Sequence, residues 1–222
     1  MILNVVTSIP PIPACRQIIA SACFLLFFMA GCHPNCEIQI SIINIETRSW
    51  ILTGDSSVFF FNDAGDSASC KYQFTYDRFA YWSDPYCVDN SCFNSYNEPC
   101  EVYYEQMQTL ADVDSLNIGF NCDIVALLNE DQLSVTARYS DSTGANHSCN
   151  IFTTAEIRND TLYAYGGMDY FEEISLNGKS FSGVYHKVVE WCDPEFRLTD
   201  LYYSKDEKIV AFKIDDQLWV LK

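Results

Sequence analysis

His33, His147 and His186 are the only histidines in the 222-residue chain, so a general base that titrates near neutral pH would come from one of these three. None has the company such chemistry needs. The sequence contains no Gly-x-Ser-x-Gly elbow, no His-Glu-x-x-His pair and no glycine-rich loop opening a helix. A hydrolase would require His147 or His186 to meet a nucleophile and a carboxylate from distant strands. His147-Ser148-Cys149 offers two metal ligands, but the flanking Thr143-Gly144-Ala145-Asn146 reads as a hairpin loop leading to a bridged cysteine. Asn62-Asp63-Ala64-Gly65-Asp66-Ser67 and Asp112-Val113-Asp114 supply oxygens without the EF-hand order, and so read as turns. Glu172 and Glu173, near Asp169 and Tyr170, read as a solvated acidic loop. The expectation is a protein that is not an enzyme, with no catalytic residue, no metal and no cofactor.

The N-terminus carries a more specific signal. One charge, Arg16, precedes an apolar run from Ile18 to Met29, followed by Ala30-Gly31-Cys32 and the polar His33-Pro34-Asn35. The run suits the hydrophobic segment of a signal peptide and falls short of the roughly twenty residues a transmembrane helix needs. Met29-Ala30-Gly31-Cys32 resembles the lipobox of bacterial lipoproteins, with Met29 where leucine is usual. The resemblance implies cleavage before Cys32, a thioether-linked diacylglycerol on its sulfur and an acyl chain of the palmitate kind on its amine. Two or three acyl chains anchor durably, since each buried methylene contributes about 0.8 kcal/mol. His33 in place of the aspartate that retains lipoproteins at the inner membrane implies an outer-membrane home, on its periplasmic or cell-surface side. Residues 1–31 are thus expected to be a leader and 32–36 a short tether. Residues 37–222 would form one β-rich domain, with a division near 155 as an alternative.

Thirty acidic side chains face thirteen basic ones, a formal charge of −17, and loss of Arg16 with the leader makes it −18. Such a chain repels phosphate backbones and anionic headgroups, which excludes nucleic acid as a natural partner and leaves the lipid on Cys32 to hold the membrane. With Cys15, Cys23 and Cys32 set aside, eight cysteines remain: Cys36, Cys70, Cys87, Cys92, Cys100, Cys122, Cys149 and Cys192. An even count in an exported chain reads as disulfides, with connectivity open. The stretch Cys87 to Cys100 suits a local bridge, worth roughly 3 kcal/mol for a loop of about fifteen residues. Only Cys87-x4-Cys92 looks like a zinc knuckle, and no second pair follows at the right spacing.

Val, Ile, Tyr, Phe and Thr runs bounded by Asn, Asp, Gly and Ser dominate the mature chain, with short connections that favour antiparallel hairpins. Leu133, Val135, Ala137 and Tyr139 alternate with Ser134, Thr136 and Arg138, the pattern of a sheet with one wet face. From Gly178 onward the runs read as a meander. That part resembles the C-terminal end of small, strand-rich, uncharacterised lipoproteins of Bacteroidota, in Gly183-Val184-Tyr185, Leu201-Tyr202-Tyr203-Ser204-Lys205, Ile209-Val210-Ala211-Phe212-Lys213 and Leu218-Trp219-Val220-Leu221. The resemblance implies no chemistry. Ser49 to Leu52 reads as a further strand and Asp112 to Ser115 as a helical turn. The fold expected is all-β: an antiparallel meander forming a curved open or half-closed sheet with disulfide-pinned loops. Phe74, Tyr76, Phe79, Tyr81, Trp82 and Tyr86 crowd one stretch and offer a binding face for a glycan or a protein partner, against the alternative that they pack the core. The function expected is that of a membrane-anchored envelope lipoprotein that binds or scaffolds. The alternative is a carrier of an apolar ligand in a lipocalin-like or half-barrel cavity.

Overall fold

The structure is a computed structural model. It describes residues 38–83, 101–126, 131–140, 144–159, 161–163, 167–189, 192 and 197–222. The chain divides into two compact units, Met1–Ile38 with Ser83–Glu101, and Gln39–Trp82 with Val102–Lys222; apart from a few strand-end residues, the sheet belongs to the second. The expected leader, the tether with Cys36, and Cys87, Cys92, Cys100 and Tyr86 lie outside the described residues.

The fold is antiparallel β, as the alternation and short connections predict. Among the described residues there are thirteen strands. The first seven are β1 (Ile38–Ser41), β2 (Ser56–Phe61), β3 (Ser67–Ser83), β4 (Glu101–Val113), β5 (Ile118–Ala126), β6 (Asp131–Ser140) and β7 (Asn146–Arg158). The rest are β8 (Thr161–Tyr163), β9 (Asp169–Leu176), β10 (Lys179–Val188), β11 (Leu198–Ser204), β12 (Lys208–Ile214) and β13 (Gln217–Leu221). They make one sheet in the order β8-β7-β6-β5-β4-β3-β2-β13-β12-β11-β10-β9, with β1 paired to β4 off that path. The chain runs as two meanders, β2 to β8 and β9 to β13, joined where β13 pairs β2 through Val220–Phe61 and Leu221–Phe60. Residue 155, the alternative division point, lies inside β7, which pairs β6 on one side and β8 on the other.

The sheet is curled into an open half-barrel, and ring contacts trace the curl. Phe120 of β5 and Phe212 of β12, five places apart in the strand order, have ring centroids 5.5 Å apart. Phe152 of β7 meets Tyr203 of β11 edge-on at 6.2 Å, across eight places. Across ten places, the Leu162 N–H of β8 donates to the Tyr185 hydroxyl of β10 at 3.1 Å. Strands so far apart in the ladder touch only if the sheet bends back on itself. Among the described residues, one backbone-to-side-chain bond rather than a backbone ladder bridges β8 and β10.

Among the described residues, rings pack the inside of the curl. Trp50, Phe60, Phe120, Phe152, Tyr203 and Phe212 are fully buried, and Trp50 comes from outside the ladder, on a 3-10 turn spanning Thr47–Trp50. This turn replaces the strand expected over Ser49 to Leu52. Tertiary bonds explain the change. The Tyr203 hydroxyl donates to the Trp50 carbonyl, Lys208 Nζ to the Ser49 carbonyl at 2.7 Å and the Thr109 hydroxyl to the Leu52 carbonyl at 2.8 Å. The backbone thereby meets side chains instead of a neighbouring strand. Upstream, Ile43 N–H donates to Glu105 at 2.7 Å and Asn44 N–H to Asp131 at 2.9 Å. Glu105 is buried and also accepts from Arg48 Nη2 and from the Tyr76 hydroxyl. One carboxylate therefore ties a strap, residues 43–52, into the curl.

Candidate functional site

Where β4, β5, β6 and β7 lie side by side, one face is apolar and the other polar. Inward go Phe120, Cys122 and Ile124 of β5 with Leu133, Val135 and Ala137 of β6, all buried. Outward go Asn121 and Asp123, paired with Thr136 and Ser134. This is the wet face the alternation predicts, and neighbouring side chains on it bond one another. Gln108 Nε2 and Asn121 Nδ2 both donate to Asp123 at 2.8 Å, and Thr136 bonds Asn150 at 2.8 Å. Burial raises the Asp123 pKa above its ordinary value, and the bonds from Gln108 and Gln106 only partly offset this.

At one end of this face a cleft of about 560 Å³ opens beside the β4–β5 turn and the β6–β7 hairpin, floored and walled by Asp112, Asp114, Asn117, Arg138, Asn146 and His147. Its floor is a row across three strands, Asp112 opposite Gly119 and Gly119 opposite Arg138. Because Gly119 has no side chain, the outer two reach across it, and Arg138 Nη2 bonds Asp112 Oδ1 at 3.0 Å. A Cβ on Gly119 would lie 2.5 Å from that oxygen and 3.2 Å from Arg138 Nη2. The glycine is there for room. The wall is set by a 3-10 turn, Asp114–Leu116, that ends on Asn117 in the left-handed region at φ 52°, and Asn117 O accepts from Ser140 N–H at 3.1 Å. Ser140 in turn donates to Asn146 at 2.7 Å. The helical turn expected over Asp112 to Ser115 falls close to this one. His147 and Tyr139, opposed across β6 and β7, place their rings 6.4 Å apart.

The cleft presents planar carboxylate, amide and guanidinium groups with hydroxyls from Ser140 and Ser148. Such groups bind polar, hydroxyl-rich molecules, since each can contact two adjacent oxygens at once. Residue pattern alone does not reveal this site, because it makes Asp112 part of a turn and His147 a hairpin residue. The one signal in the sequence is Gly119 inside a strand otherwise rich in side chains, which marks a close approach.

His186 does meet carboxylates, but not as a catalytic base would. Its Nε2 lies 2.8 Å from Asp200 and its Nδ1 3.5 Å from Asp169, so both ring nitrogens face acids while the ring stacks on Tyr202 at 4.4 Å. Among the described residues no group of three His, Cys, Asp or Glu is placed to hold a metal.

Of the aromatic stretch, Phe74 packs against the core and Tyr76 is 43% exposed, their rings 6.5 Å apart on one face of β3. The Tyr76 hydroxyl is engaged by Glu105. Phe79, Tyr81 and Trp82 belong to β3, with side chains outside the described residues. Glu172 and Glu173, expected in a loop, lie instead in β9, whose register on β10 is fixed by the tight turn at Asn177-Gly178, both at positive φ.

Among the bridge candidates, Cys149 and Cys192 are joined, with Cα atoms 5.5 Å apart. Cys70 and Cys122 are not: both are buried free thiols, contrary to the expectation that all eight pair. The geometry explains it. Cys70 is on β3 and Cys122 on β5, with β4 between them, and strands two apart are separated by roughly 9.5 Å, beyond the ~7 Å a bridge tolerates. Burial pushes the Cys70 thiol up to about 12 and Cys122 higher still, so neither is a thiolate at neutral pH.

No family model, no curated protein and no solved structure matches this chain.

Proposed function

We propose that the chain is a lipid-anchored, non-enzymatic binding protein of the bacterial cell envelope, tethered through Cys32 at the outer membrane, and that it binds a polar, hydroxyl-rich ligand such as a glycan in the cleft over Gly119. The observation that carries the binding half is the Asp112–Gly119–Arg138 row, a charged pair laid flat over a glycine in an open polar cleft. The tetrapeptide ending at Cys32 carries the anchoring half.

Two features favour a binding surface over the other readings. An apolar-ligand carrier needs its space inside the curl, where Trp50, Phe60, Phe120 and Phe212 sit. Of the two histidines a hydrolase could use, His186 has both ring nitrogens facing carboxylates, and His147 sits in the cleft wall with its ring beside Tyr139. The test is an oligosaccharide array probed with the parent and with Arg138→Ala. Retained glycans should be lost by the variant at an unchanged thermal midpoint, because an exposed ion pair contributes only ~0–1 kcal/mol to stability. An array with no retained glycan, or retention indifferent to Arg138, contradicts the assignment.

A further inference from the structure

Three isoleucines within a short stretch turn to solvent: Ile40, Ile42 and Ile45 are 57%, 67% and 81% exposed. A single exposed isoleucine is ordinary, but a fixed row of them is not. This row is fixed. Ser41 and Ile43, alternating with Ile40 and Ile42, are buried, so the two sets face opposite ways. The backbone between them is held by Ile43 N–H on Glu105 and Asn44 N–H on Asp131, while the Asn44 carbonyl accepts from the N–H groups of Thr47 and Arg48. Rotating the isoleucines inward would break those bonds and expose Ile43.

Position suggests what covers them. Ile40 follows Cys32 by eight residues. Eight residues extend at most about 28 Å, so an acylated Cys32 holds Ile40, the start of the row, within about that distance of the bilayer surface. A tethered contact is intramolecular, so a few apolar side chains can stay seated where the same contact between free molecules would be transient. The net charge of −17, made −18 by loss of Arg16, opposes attraction to anionic headgroups, which leaves apolar burial as the force.

We propose that Ile40, Ile42 and Ile45 form a membrane-contact row that seats this unit on the bilayer beside its anchor, with the boundary between headgroups and acyl chains as the partner. The proposal rests on the acylation of Cys32. The test uses the full chain in its native membrane, with a benzophenone amino acid placed singly at Ile42, at Ile45 or, as a control, at the exposed Glu173, and acylation of Cys32 read from the same sample by mass spectrometry. After irradiation, lipid adducts should be severalfold more abundant at positions 42 and 45 than at 173. With the probe at Ile40, Ile42→Ser/Ile45→Ser should lower the yield severalfold. Acylated protein that gives no excess of lipid adducts, or whose adducts are to residues 84–100 or to a second copy, overturns the membrane row while leaving the anchor intact. An unacylated Cys32 overturns the anchor, and the row with it.

Discussion

A methyl group at position 119 would fall 2.5 Å from Asp112 Oδ1, and the end of that flexible side chain can move aside, so Gly119→Ala should fold normally and yet part Asp112 from Arg138. The expected cost in urea unfolding is under about 1 kcal/mol, the scale of an exposed ion pair. Affinity for any glycan the cleft retains should fall about tenfold or more, as when one charge-assisted hydrogen bond is lost. Equal affinity in the alanine variant would place binding elsewhere. Asp123 permits a test by pH. Its folded pKa is raised by burial, so between the ordinary carboxylate value and the folded value the unfolded chain has lost a proton that the folded chain keeps. Stability therefore falls as pH rises through that window and stays reduced above it. Asp123→Asn should raise the urea midpoint at neutral pH and lose that advantage in acid below the ordinary carboxylate range; a midpoint lowered at neutral pH would contradict this. At this scale the sequence is least legible. Asp112, Gly119 and Arg138 stand far apart along the chain, and only the register of β4, β5 and β6 makes them a row.

The strap and the disulfide do different work on the curled sheet. Glu105 gathers donors from Ile43, Arg48 and Tyr76 at a buried position, so Glu105→Ala leaves several of them without an acceptor. Arg48 is partly exposed, which moderates the penalty; a loss of about 3 kcal/mol is expected in denaturant unfolding. A change below about 0.5 kcal/mol would mean that the strap is not held as described. The Cys149–Cys192 bridge spans 43 residues and joins β7 to the segment after β10, and a loop of that length is worth about 4 kcal/mol in the chain-entropy model. Alkylation without reductant gives the simplest check. Cys70 and Cys122 should react only after unfolding, and Cys149 and Cys192 not even then; label on Cys149 in the unfolded, unreduced protein would contradict the pairing. Strands are legible wherever alternation or a clear turn marks them, as at Leu198–Ser204 and around Asn177-Gly178. The Ser49 to Leu52 stretch is not, because its apolar residues serve a plug whose hydrogen bonds come from Thr109, Tyr203 and Lys208, far along the sequence. Cysteine count alone cannot separate the pair that bridges from the pair held two strands apart.

The described sheet is a curled antiparallel half-barrel with rings packed inside it and a polar cleft on its outer face, the arrangement on which the proposed binding role rests. The all-β, antiparallel class follows from composition and connection length, since β-branched and aromatic runs dominate and most are joined by connections too short for a parallel crossover. Where the protein resides depends on chemistry at one residue, Cys32, and the membrane row depends on the same event. The most direct measurement is peptide mass spectrometry of the protein extracted from membranes. The expected result is an N-terminus at Cys32 that carries a diacylglyceryl thioether, with nothing left of residues 1–31. A peptide retaining Met1, or an unmodified Cys32 on protein recovered without membranes, would contradict it.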